Sequence, residues 1–396
     1  MQQIRLEQKE LETSTGTKRD ASVDVAEALR AISRPRMTGT PDSSAVLNEV
    51  RNRFMRLGYE VTDVPFTFST WPGRFGVSVA GAVYAIGALT SAIVLHLGHS
   101  GVALTLLLLV ILLCAGIAVL VKPAIHSLPW GRVQAVNLVV RKHGSRPRYL
   151  LMAHHDSKSQ PIPLSFRGPA IATAIISWIA LAVLSVFNLL DPVFYGSGMI
   201  AGVGAFAFLS GVLLVFCWVD NRSPGALDNA SGVVTLLGVA EQQSENDDVA
   251  FVITDAEELG LAGARAIAPT LPPTFGLINV DGVDDEGNFY VVERFGWPRK
   301  RGAAPHLAAA LLSAADRLGL PARRRDLPFG MLLDHIPVTQ AGTPALTLMR
   351  GTFASLRRVH LPDDSPDRIR GHGVQQAVHL ISGALQFLRG QTEPRP

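Results

Sequence analysis

Val249-Ala250-Phe251-Val252-Ile253-Thr254-Asp255-Ala256-Glu257-Glu258-Leu259-Gly260 is an apolar run that ends in paired carboxylates. A short apolar segment rich in β-branched residues reads as a strand buried on both faces. Adjacent glutamates usually face solvent, but at a strand-to-helix turn they can be split. One then binds a metal and the other stays free to move protons. Further strands are expected at Tyr59–Phe66, Val133–Arg141, Arg148–Ala153, Phe275–Val280, Phe289–Val292 and Ala345–Met349. Helices are expected within Asp20–Leu57 and at Asn229–Gln242, Leu261–Ala268, Ala303–Leu318 and Pro366–Leu388. This alternation predicts an α/β fold with a mixed, mostly parallel sheet and helices on both faces. Ligands are then expected at the carboxyl ends of its strands.

Four other segments carry residues of the same chemistry. His154 lies in Ala153-His154-His155-Asp156-Ser157 and Asp228 in Gly225-Ala226-Leu227-Asp228-Asn229-Ala230-Ser231-Gly232. Asp281 follows Asn279-Val280, and His360 precedes Leu361-Pro362-Asp363-Asp364. Each has a plainer reading. His155 rivals His154, Asp228 suits a helix N-cap, Asp281 borders an acidic turn, and a lone loop histidine is more often no ligand. His154 is preferred to His155 because Asp156, two residues on, can orient its ring. Together, two histidines and three carboxylates can hold a pair of divalent metals, with Asp228 projecting between them and Glu257 free as a base. This N/O set without thiolate suits zinc, manganese or cobalt and points to metal-assisted hydrolysis. There is no His-Glu-x-x-His helix, so a single-zinc protease plan is absent.

Bulk properties narrow the setting. Of 396 residues, 48% are hydrophobic and 17% charged, where about a quarter charged is usual for soluble domains. The net charge of +3 comes with no dense basic block interleaved with aromatics, which speaks against nucleic-acid binding. Cys114 and Cys217 lie inside apolar runs, so neither a zinc finger nor a disulfide scaffold is expected. No apolar stretch follows the polar start at Met1–Arg19, so no cleaved signal peptide is read there. Arg299–Arg301 and Arg323–Arg325 read as solvated loops.

The apolar excess sits in Gly76–Leu97, Gly101–Val121, Gly168–Leu190 and Tyr195–Val219, none of which contains a charged residue. At ~1.5 Å per residue each can cross a hydrocarbon core of roughly 30 Å. The short links Gly98-His99-Ser100 and Asp191-Pro192-Val193-Phe194 make two transmembrane helical hairpins. Both termini and every candidate ligand then share one side. Arg74, Lys122, Arg132, Lys158, Arg167 and Arg222 flank the helices there, while the links hold no Lys or Arg. That bias predicts a multi-pass plasma-membrane protein with its catalytic part and both termini in the cytoplasm. Only 156–167 and 220–227 tether the second hairpin to the ligands, reaching at most about 40 and 30 Å. The metal centre is therefore expected near the membrane surface, where a short or apolar peptide would be delivered.

The ligand motifs resemble those of the di-zinc aminopeptidases of clan MH, a group that includes bacterial leucyl aminopeptidase, aminopeptidase Y and glutamate carboxypeptidase-type enzymes. The resemblance covers roughly 20–66 and 132–390. It rests on Gly225–Gly232, on Glu257-Glu258-Leu259-Gly260-Leu261-Ala262-Gly263, and on His360-x-x-Asp363-Asp364-x-Pro366-Asp367 followed by Arg368 and Ile369. It implies two zinc ions, one on His154 and Asp281, the other on Glu258 and His360, with Asp228 bridging. Glu257 would be the general base, and Asp156 would orient His154. A zinc exopeptidase-like domain would run through 20–75, 132–167 and 220–390, interrupted by hairpins at 76–121 and 168–219. The implied activity is aminopeptidase hydrolysis of peptides. The alternatives are carboxypeptidase, dipeptidase or glutaminyl-cyclase-like chemistry, or a non-catalytic membrane scaffold. Three positions depart from the pattern: Ala264 and Leu333 stand where serine is usual, and Gly282-Val283-Asp284 follows Asp281.

Overall fold

The computed structural model describes residues 23–191, 197–296, 298–328 and 330–392. The expected polar start and most of the second hairpin link lie outside these residues. An eight-stranded sheet forms the centre of the molecule. Its strands are β1 (Glu60–Ser69), β2 (Arg132–Arg141), β3 (Tyr149–His154), β4 (Val249–Thr254), β5 (Gly276–Val283), β6 (Asn288–Arg294), β7 (Ala322–Asp326) and β8 (Ala345–Gly351), in spatial order β1-β2-β4-β3-β5-β8-β6-β7. The central strands β4, β3, β5 and β8 are mutually parallel, while β1, β2 and β6 join antiparallel.

The helices are α1 (Val25–Ile32), α2 (Pro41–Arg56), α3 (Trp71–His96), α4 (Ser100–Ser127), α5 (Leu164–Leu190), α6 (Ser197–Val215), α7 (Ser231–Gln242), α8 (Ala262–Ile267), α9 (Pro305–Arg317), α10 (His335–Gln340), α11 (Phe353–Arg358) and α12 (His372–Thr392). Alternation along the central strands feeds two cores. Tyr149, Leu151, Phe251 and Ile253 pack under α7, α9 and α12, and Leu150, Met152, Ala250 and Val252 pack with Ile267 of α8 and Val338 of α10. Successive side chains of a strand point to opposite faces, so a strand apolar at every position must be covered twice.

Four expectations need correction. Arg323–Arg325 is the edge strand β7 rather than a loop, its arginines kept exposed. Charged edge strands resist pairing with other chains, so a charge run and a strand are compatible. The helix expected at Pro366–Leu388 is a short 3₁₀ turn at Pro366–Arg368, then α12 from His372. Gly371 breaks it, at φ +93° with Val25 only 2.7 Å from where its Cβ would be. The fourth apolar helix ends at Val215, not Val219. The helix expected from Asn229 begins at Ser231, because Asp228 and Asn229 have non-helical backbone angles. Helices α10 and α11 were not expected.

Helices α3, α4, α5 and α6 are long and apolar enough to cross a membrane. They form a unit of their own around Tyr84, Ala88, Leu107, Leu181 and Ala207, while Ile86, Leu112, Val119, Ile176 and Phe206 face outward. Small residues let α3 and α6 approach closely. A Cβ on Gly211 would lie 2.7 Å from Ala85 Cβ, and one on Gly81 would lie 2.7 Å from Leu214 Cβ. Such small-residue contacts are how apolar helices pack when burial from water no longer drives them together.

All four helices leave the same edge of the sheet. Ser69 and Arg132, which flank the first hairpin, are paired at the end where β2 begins, beside the carboxyl end of β4. The second hairpin departs after β3 and returns through the Ser159–Asp220 bridge. Replacing Gly211 with valine is expected to overpack the α3–α6 contact and destabilise by about 1–3 kcal/mol. Thermal unfolding of the detergent-purified chain reads this as a lower midpoint, and an unchanged midpoint would show that the close approach is unimportant.

Candidate metal centre

The carboxyl ends of the parallel strands bring the expected residues together. His154 is the last residue of β3, Glu257 and Glu258 follow β4, Asp281 lies near the end of β5, and His360 follows α11 after β8. Asp228 enters from the turn Ala226–Ala230 that precedes α7. Its two oxygens face different imidazoles: Oδ1 lies 3.2 Å from His154 Nε2, and Oδ2 lies 3.1 Å from His360 Nε2. Asp281 Oδ1 is 3.8 Å from His154 Nε2, and Glu258 Oε2 is 3.3 Å from His360 Nε2. The result is two triads, His154–Asp228–Asp281 and Asp228–Glu258–His360, each with its ligand atoms within 4.8 Å of one another. His155 points elsewhere, with Nε2 3.4 Å from Asp255 Oδ1.

The backbone around Asp228 explains why it is not a helix cap. The Leu227 and Asp228 amides donate to the two oxygens of Asp364, at 2.7 and 3.1 Å. Asn229 donates to the Val280 carbonyl and accepts from the Gly232 and Gly282 amides, stitching the turn to the end of β5. The peptide between Asp228 and Asn229 is cis. Buried Arg36 donates to the carbonyls of His155, Pro224 and Gly225, fastening the His154 and Asp228 segments to each other.

Asp156 has a double task. One of its oxygens is 3.4 Å from His154 Nδ1, and its carboxylate accepts the backbone amides of Glu257 and Glu258, each at 3.1 Å. It lies beyond the end of β3, and the contact expected from strand periodicity is made from a loop. A single carboxylate thus orients one histidine and holds the turn bearing the paired glutamates.

The electrostatics are those of acids crowded out of water. Burial pushes the Glu257 carboxyl well above the usual range, and nearby Glu258, Asp281 and Asp334 push it further while His154 opposes them. Burial also raises Asp281. Burial works to raise Asp228 too, but the imidazoles of His154 and His360 outweigh it and hold that carboxyl well below its usual range. For His154, burial favours the neutral ring, yet Glu257, Asp156, Asp228 and Asp281 raise it well above the usual value. A divalent cation is the natural partner for such a set. Two buried atoms fit one directly: among the described residues, His154 Nε2 and Glu258 Oε1 have no well-aligned hydrogen-bond partner. The N/O donor set suits a zinc-type divalent metal.

Two cationic residues that sequence reasoning counted only as membrane flanks belong to the site. Lys158 Nζ is 2.7 Å from Glu258 Oε2. Arg167, in the first turn of α5, lies 3.0 Å from His360 Nδ1 and also donates to Gln160, whose side-chain amide donates to the Cys217 carbonyl just past α6. Asp364 was quoted only as part of a motif. Spacing carried no signal for Lys158 or Arg167, because their partners lie 100 and 193 residues away.

A cavity of about 560 Å³ opens onto the centre, with Asp228, Glu257, Glu258, Asp281 and His360 in its wall. Leu327, Met331, Leu333 and Met349 make much of the rest apolar. Of the positions that depart from the resembled pattern, Leu333 and Gly282 line this cavity, whereas Ala264 is buried in α8.

Residues 203–385, a little under half of the chain, match the model of Peptidase family M28. No curated protein sequence matches significantly. Among solved structures, the aminopeptidase from Aneurinibacillus sp. strain AM-1 superposes with a TM-score of 0.53 at 13% identity, covering 91% of this chain and 92% of that one. The zinc aminopeptidase BSAP from Bacillus subtilis gives 0.52 at 15% identity over 92% and 94%. The Bacteroides thetaiotaomicron glutaminyl cyclase bound to N-acetylhistamine gives 0.54 at 14% identity over 92% and 97%. The family match and the fold together define a metallopeptidase hydrolase.

One buried acid makes a test independent of catalysis. Burial raises Asp334 to about 7, although His154 and the Thr254 hydroxyl oppose it. An unfolded aspartate loses its proton near ~3.9. Between those values folding takes up a proton, so this group's contribution is fully present below about pH 4. It is lost as pH rises towards 7. In chelator-treated protein, Asp334→Asn is expected to shrink the fall in thermal midpoint between pH 5 and pH 8. An identical fall in both proteins would contradict this.

Proposed function

We propose that this chain is a membrane-anchored, zinc-dependent aminopeptidase that removes N-terminal residues from peptides. The observation that carries the reading is the placement of Asp228, one oxygen towards each of two triads. On this reading His154 and Asp281 hold one divalent ion, Glu258 and His360 hold a second, and Asp228 is shared. Bound divalent ions supply Lewis acidity, polarising the scissile carbonyl and easing deprotonation of water. Glu257 takes the proton of the attacking water and returns it to the leaving amine. Its raised proton affinity, set first by burial, suits both roles. Asp156 positions the turn that carries it. The acids of the centre favour a substrate's free, protonated α-amino group.

The peptidase domain comprises 20–75, 132–167 and 220–390, and the hairpins 76–121 and 168–219 anchor it in the plasma membrane. Both termini and the centre lie on the cytoplasmic side, following the arginine and lysine residues that flank the helices. Leu164 and Arg167, in the first turn of α5, line the same cavity as Glu257 and His360. This favours a peptide substrate met at the bilayer surface.

The test is metal analysis of the purified full chain together with a panel of free and N-acetylated peptides. Two divalent ions per chain and cleavage confined to free amino termini are expected. Loss of carboxy-terminal residues from acetylated peptides would make the chain a carboxypeptidase instead. Release of ammonia from N-terminal glutamine without peptide cleavage would make it a cyclase. Glu257→Ala is expected to keep metal and fold while losing roughly 10²- to 10⁴-fold in turnover. Turnover at the wild-type rate would remove Glu257 from the mechanism.

A further inference from the structure

The four apolar helices meet the rest of the molecule at four exposed aromatic residues. Trp71 opens α3 (43% exposed), Trp130 follows α4 (67%), Phe166 lies in the first turn of α5 (63%), and Phe216 directly follows α6 (44%). Tryptophans with this placement gather where a bilayer's acyl region meets its headgroups, and phenylalanines beside them suit the acyl side of that boundary. On the membrane reading proposed above, Trp71 and Trp130 would mark the level of that boundary on the side of the metal centre.

One exposed aromatic residue of the other part of the molecule lies beside these helices. Phe353 opens α11 and is 71% exposed, and Leu356, one turn on, is 38% exposed. Helix α11 packs against α5. Thr352 and Ser355 close a capping box at its start, which fixes how Phe353 is presented. Arg357 places its guanidinium 5.9 Å from the Phe353 ring centroid. An outward aromatic and leucine beside an arginine is the make-up of a segment that lies in a membrane interface.

Phe353 and Leu356 also line the cavity that holds Glu257 and His360, as does Leu164 of α5. The wall of the catalytic cavity is thus continuous with the surface of an apolar helix. We propose that α11 dips into the headgroup–acyl boundary of the bilayer leaflet, so that the cavity opens sideways into that layer. The substrate class follows: peptides with a free amino terminus that are already held in the leaflet by an apolar portion or acyl anchor, reached without passing through bulk water. This rests on the membrane reading proposed above and adds an entry route to it.

The test places an environment-sensitive fluorophore on single cysteines in a Cys114→Ala, Cys217→Ala background, using the full chain in phosphatidylcholine–phosphatidylglycerol vesicles. Labels go at Phe353→Cys, Leu356→Cys, Ile176→Cys within α5, and Ser244→Cys, an exposed position before β4 at the opposite edge of the sheet. The quencher is a phospholipid with a nitroxide high on its acyl chain. Labels at 353, 356 and 176 are expected to lose at least half their emission, and the label at 244 almost none. If 353 and 356 behave like 244 while 176 is quenched, α11 stays in water and the proposal fails alone. If 176 is also unquenched, the membrane reading fails and takes this proposal with it. A second readout compares one peptide with and without a carboxy-terminal acyl anchor, both offered to vesicle-reconstituted protein. Phe353→Ser with Leu356→Ser is expected to cut the anchored-to-free ratio of kcat/KM about tenfold. An unchanged ratio would overturn the entry route.

Discussion

Concentrated negative charge, buried and shared, is the constraint around which this molecule is arranged. Asp228, Glu257, Glu258 and Asp281 are gathered with two imidazoles and Lys158 as near counterweights and the buried guanidiniums of Arg36 and Arg167 behind them. Isolated buried carboxylates cost several kcal/mol each or give up their charge. Glu257 and Asp281 show the second response, their carboxyls being raised by burial, while Asp228 escapes it through its two histidines. A bound divalent cation would resolve the conflict and turn it into chemistry. The supporting residues make sense in that light. Asp364 and Asn229 hold the turn that presents Asp228, Asp156 holds the glutamates, and Arg36 fastens the segments to one another.

The second organising fact is that insertions and ligands share one edge of the sheet. Carboxyl ends of parallel strands are where such folds build their sites. They are also where both hairpins enter and leave, so the first turn of α5 contributes Leu164 and Arg167 to the cavity. Arg167 and Gln160 tie His360 to both ends of the second hairpin. An inserted apolar segment is here part of the wall and support of the centre, which a flexible tether would not be.

Much of this was legible in the chain because its signals are local. A doubly buried strand such as β4 is apolar at every position, and the candidate ligands other than His360 sit at the end of such a run or in a glycine-flanked turn. Apolar helices announce themselves by length and lack of charge, but the helices at Trp71, Ser127 and Leu164 run past the uncharged core into polar flanks, and at Val215 the apolar run outlasts the helix. What stayed hidden depends on distant partners. Lys158 reads as a flanking charge until Glu258 is brought beside it, and Asp364 reads as a loop acid until the Asp228 turn closes over it. Strand β7 was missed because three consecutive arginines carry no alternation, their strand geometry coming from pairing with β6. The departure of Asp228 and Asn229 from helix is likewise imposed by partners at Val280, Gly282 and Asp364.

The central claim is that His154, Asp228, Glu258, Asp281 and His360 jointly hold the metal. Zinc K-edge absorption of the loaded full chain, compared with His154→Ala and His360→Ala, tests it most directly. The account predicts zinc surrounded only by nitrogen and oxygen, with each substitution removing part of the bound zinc and part of the histidine scattering. Sulfur in the zinc shell, or a spectrum and zinc content untouched by either substitution, would contradict it.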